Sequence, residues 1–83
     1  MSITVDFYEA VDEGKAKVGT VRHEDGKSFV SPPGSPVKNL LTQDIAVKGD
    51  VYSFKKDPEG WLRAAPLQFR SLYLWAVLRE EED

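Results

Sequence analysis

Few residues in this chain are equipped for chemistry. His23 is the single histidine, and there is no cysteine. A metal site needs three or four suitable ligands, and Glu24 and Asp25 beside His23 read as an ordinary solvated turn. Nucleophilic catalysis needs a nucleophile, a base and an orienting group within reach of one another. No serine or threonine here stands at a strand–turn–helix elbow. Acid catalysis needs a carboxyl whose pKa is raised by burial, whereas Asp12-Glu13 and Glu80-Glu81-Glu82 fall in exposed acidic runs. The glycines are dispersed, so no phosphate-cradling loop is visible. The expected protein is therefore not an enzyme and carries no metal or cofactor.

Two other constellations could bind. Tyr73 and Trp75 fall on one side of the run Leu72-Tyr73-Leu74-Trp75-Ala76-Val77-Leu78, and Tyr8 lies on the less apolar side of the first strand. Tyrosine and tryptophan dominate interface hot spots. If the two strands pair and that side lacks helices, Tyr8, Tyr73 and Trp75 form an exposed aromatic patch. The second set is basic: Lys48, Lys55, Lys56, Arg63 and Arg70, interleaved with Tyr52, Phe54 and Trp61. Cations among exposed rings are the materials of single-strand nucleic-acid binding, although the overall pI is about 5.1. The leading expectation is a small protein-interaction or accessory module, with another protein or a second copy as partner. The alternative is a single-stranded nucleic-acid binder using the basic middle.

The frame that must position these residues is small. Eighty-three residues with a formal charge of −3 make one domain, read as residues 1–79 followed by an acidic tail at 80–83. The charge is uneven. Residues 1–14 hold four acids and no base, residues 15–79 hold eleven bases and six acids, and the last four are all acidic. A small domain without disulfides fits a reducing compartment. The N-terminus lacks a basic segment leading into an apolar one, and the longest apolar run is too short to span a bilayer. The cytoplasm is the expected location, with no membrane contact.

Ile3, Val5 and Phe7 alternate with Thr4, Asp6 and Tyr8, the period of a half-buried strand. Asp25-Gly26 between two strand-like runs predicts a two-residue hairpin turn pairing Glu24 with Lys27, Arg22 with Phe29 and Val21 with Val30. Neither face of that hairpin is cleanly polar, so it is covered on both sides or its loop is longer and bulged. Ser35-Pro36 and Asp57-Pro58 have the grammar of helix starts, predicting helices over 36–43 and 58–65, the second broken or kinked at Pro66. A second tight turn is expected at Gly49-Asp50. Residues 72–78 are too apolar for an edge strand and are expected centrally. Val5, Phe7, Leu40, Leu41, Leu62, Leu74 and Leu78 form the expected core. The fold class is α+β: a small, hairpin-rich antiparallel sheet of four to six strands, with two short helices on one face.

Overall fold

A computed structural model describes residues 2–81 and has the α+β character expected. Its elements are β1 (Ser2–Val11), β2 (Gly14–Glu24), β3 (Lys27–Ser31), α1 (Val37–Leu40), β4 (Ile45–Val47), β5 (Asp50–Tyr52), α2 (Pro58–Gln68) and β6 (Leu74–Glu81). Four strands form an antiparallel sheet in the order β3-β2-β1-β6, and β4 pairs with β5 separately. No helix among the described residues is long and apolar enough to cross a membrane.

The β2–β3 turn is the tight one read from Asp25-Gly26. Both residues have positive φ, 51° and 76°, and the expected pairing register is observed. The next turn falls one residue earlier than expected. Lys48 and Gly49 hold the positive φ values, and Val47 pairs with Asp50. Asp50 is thereby the first residue of β5 rather than a turn residue.

Both helices differ from expectation in extent. Ser35 was the expected cap of α1, yet the helix begins at Val37; Ser35 Oγ accepts from the Val37 amide and donates to the Val18 carbonyl, tying the helix start to β2. Asp57 caps α2 as expected, its Oδ1 accepting from the Gly60 amide at 3.0 Å. The helix then continues through Pro66 to Gln68. Proline removes one backbone donor, but Pro66 is so near the end that one further bond, from the Phe69 amide to the Ala65 carbonyl, completes the last turn.

The apolar run at 72–78 is corrected more substantially. The strand begins at Leu74, and its place is last in the sheet rather than central. Its apolar character comes from Leu74, Ala76 and Leu78, which turn toward the core. Residues 69–71 also cover the start of its outer edge: Ala76 donates to the Phe69 carbonyl and Ser71 donates to the Leu74 carbonyl. Glu80 and Glu81, read as tail, are the end of this strand in register with Ile3 and Ser2; the remainder of that tail lies outside the described residues.

The core gathers on the side of β1 that carries Ile3, Val5 and Phe7, joined by Val21, Val37, Ile45, Leu62 and Ala65. Trp61 is fully buried at its centre. Its ring neighbours Phe54, Phe69 and Phe7 at centroid distances of 5.5, 6.0 and 6.4 Å, and its Nε1–H donates to the Gln43 carbonyl at 2.8 Å. Val5, Phe7 and Leu62 are buried as expected, whereas Leu40, Leu41, Leu74 and Leu78 are half-buried around the rim. An 83-residue fold has too little material to enclose every leucine.

Candidate binding surface on the open face of the sheet

Side chains alternate between the faces of a strand, and directly paired residues share a face. The register therefore lists the second face of the sheet. Along β1 it carries Ser2, Thr4, Asp6, Tyr8 and Ala10; beside them on β2 stand Glu24, Arg22, Thr20, Lys17 and Lys15. On β6 stand Arg79, Val77 and Trp75, with Glu81 at the register position opposite Ser2, and on β3 Lys27 and Phe29. A bulge between Phe7 and Tyr8 shifts the β1–β2 register, which brings Lys17 rather than Val18 opposite Tyr8.

Asp6 is the electrostatic hub. Its side chain is 5% exposed, although it lies on the face away from the core. Thr20 donates to Oδ1 at 2.7 Å, Arg79 reaches Oδ2 through Nε at 2.9 Å and Oδ1 through Nη2 at 3.2 Å, and Lys17 lies 3.3 Å from Oδ1. Burial pushes this carboxyl up, but the hydrogen bonds from Thr20, Arg79 and Lys17 and the charge of Arg79 outweigh it and hold the pKa below the usual aspartate value. Alternation brings Thr20 and Lys17 from one neighbouring strand over it, and Arg79 comes from the other. These charged groups cover the strand centre where a helix otherwise would.

Next to this hub lies a row of four residues crossing the sheet. Lys17 pairs with Tyr8, Tyr8 pairs with Trp75, and Trp75 pairs across an isolated bridge with Arg70. The Tyr8 and Trp75 rings stack at 21°, with centroids 6.2 Å apart, and Lys15 Nζ stands 4.8 Å over the Tyr8 ring. The register thus flanks the two rings with basic residues, while the Lys17 ammonium itself lies at Asp6. Tyr73 and Leu72 lie just before β6 and are 76% and 85% exposed. Ser71 shapes the approach by accepting from the amides of Tyr73 and Leu74 and donating to the Leu74 carbonyl. Phe29 and Val77 add exposed apolar surface on this face.

Sequence-expected residues therefore divide. Tyr8 and Trp75 come together, Tyr73 stands close along the same chain segment, and Arg70 joins them from the basic set. The other basic residues lie elsewhere: Lys48 in the β4–β5 turn, Lys55 and Lys56 in the turn before α2, and Arg63 on α2, ion-paired with Glu59 and Glu80. Lys15, Lys17, Arg22 and Arg79 were missed. Each lies on the strand alternation, and only the pairing of three strands brings them around the rings.

A shallow groove of about 210 Å³ lies elsewhere, between α2 and the β4–β5 hairpin, lined by Val47, Tyr52, Gly60, Arg63, Ala64 and Leu67. His23 is buried with Nδ1 2.7 Å from Ser28 Oγ, and no group of three potential metal ligands occurs among the described residues. The chain matches no protein-family model, no curated protein and no solved structure.

Proposed function

We propose that this chain is a small non-enzymatic interaction module whose working surface is the open face of the four-stranded sheet. The observation that carries this reading is the cross-sheet row in which Tyr8 and Trp75 stack between Lys17 and Arg70. Exposed apolar groups gathered on one face of a small domain are characteristic of contact sites. The Asp6 network supports a binding role over a catalytic one. Its oxygens are occupied by Thr20, Arg79 and Lys17, and its lowered pKa keeps it an ionised counter-charge instead of a proton donor near neutrality.

Charge disfavours a second copy docking face to face. Among the residues with described side chains this face has Lys15, Lys17, Arg22, Lys27, Arg70 and Arg79 as bases, against Asp6 and Glu24 as acids, and the register adds Glu81 opposite Ser2. Two such faces repel. The partner is a different molecule, and a homodimer would use another surface. The test is comparative capture from cell extract with the parent, Tyr73→Ser and Leu67→Ser. Tyr73 belongs to the proposed surface, and Leu67 lines the groove beside α2. Species retained by the parent and by Leu67→Ser should be lost with Tyr73→Ser, whose melting curve should match the parent. Identical capture by all three proteins refutes the reading.

A further inference from the structure

We infer that the ligand of this face is single-stranded nucleic acid, bound with little sequence preference; this rests on the open face being the working surface. Charge complementarity favours an anionic ligand. The chain as a whole has 11 basic and 14 acidic residues, yet on this face the bases outnumber the acids. Lys15, Lys27 and Arg70 form no ion pair among the described residues, and Lys17 and Arg79 share the single carboxylate of Asp6. Arg22 gives one nitrogen to Glu24, while its buried Nε has no partner among the described residues. An anionic occupant meets an excess of positive charge on this face.

The order of groups along the row also favours a single strand. A polyanion alone needs cations, and an apolar protein segment alone needs a desolvated pocket for its anchor. This row is a pair of rings set in an open sheet with a basic residue at each end, and the groove lies elsewhere. Alternating flat bases and phosphates match that order: bases stack on Tyr8, Trp75 and the nearby Tyr73, and phosphates meet Lys15, Arg70 and, farther along the face, Lys27. Stacking accepts every base, because each has a π-face. A duplex hides those faces, and its major groove admits a helix or a two-stranded ribbon rather than the face of a four-stranded sheet.

The magnitudes set the expectation. With three unpaired cations, log K should fall with log salt at a slope of about −2, at roughly 0.7 per neutralised phosphate on a single strand. That is weak compared with dedicated binders, so affinity depends on the rings. Losing one stacked ring should weaken binding at least about fivefold.

The experiment titrates the full chain with labelled oligothymidylate of about 12 nucleotides, a duplex of the same length and polyglutamate of the same length, from low to physiological salt. Oligothymidylate should bind tightest, with the slope given above. Tyr8→Leu and the more exposed Tyr73→Ser should weaken it with the salt slope unchanged. Lys15→Gln and Arg70→Gln should each flatten the slope by about 0.7. Lys48→Gln and Lys55→Gln, which lie off this face, should change nothing. If polyglutamate binds as tightly and the ring substitutions have no effect, the face takes an acidic protein and the inference is overturned. No oligothymidylate binding up to about 1 mM in about 50 mM salt also overturns it. Either result leaves the capture comparison with Tyr73→Ser standing on its own.

Discussion

Replacing Asp6 by asparagine removes one charge from the hub and changes its volume hardly at all. The amide keeps one oxygen for Thr20 and places an NH2 group where Oδ2 now accepts from Arg79 Nε at 2.9 Å. Hydrogen bonds to a charged group contribute ~1.5–3 kcal/mol when buried. Here the carboxylate is 5% exposed, but its cationic partners Arg79 and Lys17 are 51% and 49% exposed. They can rehydrate, so solvent screening reduces each ion pair to under ~1 kcal/mol. Two weakened ion pairs and one repulsive donor–donor contact give a net loss of ~2 kcal/mol. For a domain of this size each kcal/mol lowers Tm by roughly 4–8 °C, so the variant should melt roughly 10 °C below the parent at neutral pH. The effect has a signature in pH. The folded pKa is depressed below the aspartate reference value of 3.8. The stabilisation is therefore fully present above that value and is lost as pH falls through the folded pKa. Thermal melts followed by circular dichroism from neutral pH downward should show the two curves converging in acid. A variant that melts with the parent at neutral pH, or a gap that persists unchanged after the carboxyl is protonated, refutes the hub.

Gly19→Ala should destabilise by ~2–4 kcal/mol. A Cβ there would overlap Ser35 Oγ and approach Val37 Cγ2 to 2.9 Å, displacing the hydroxyl that joins Val18 to the α1 start; urea titration measures the loss, and a neutral result shows that the close approach can relax. Trp61→Phe should lower stability by ~2–3 kcal/mol through the lost bond to the Gln43 carbonyl and the space left among Phe7, Phe54 and Phe69. Its urea midpoint should fall without a change in m.

Local chemistry made much of the framework legible. Asp25-Gly26 accepts the two positive φ values of a tight hairpin, and that turn fixes the register from Glu24–Lys27 to Val21–Val30. Asp57-Pro58 marks the start of α2 because the side chain and the preset φ act within one helical turn. The alternation of Ile3, Val5 and Phe7 identifies the core side of β1 through the two-residue period alone. These signals are short-range, so sequence contains them. Tertiary structure decided the rest. An apolar run such as 72–78 reads alike in a central strand and in an edge strand whose other side is half covered, and only the order β3-β2-β1-β6 separates them. Lys48-Gly49 and Gly49-Asp50 are both plausible turns, and the pairing of Val47 with Asp50 chooses between them. The candidate surface is the clearest case. Tyr8 and Trp75 lie far apart in sequence, Lys17 comes opposite Tyr8 only because of a bulge, and Arg70 reaches Trp75 by a single bridge. Sequence supplied the rings and the cations; which of them stand side by side is a property of strand register, set by contacts between segments that no local pattern encodes.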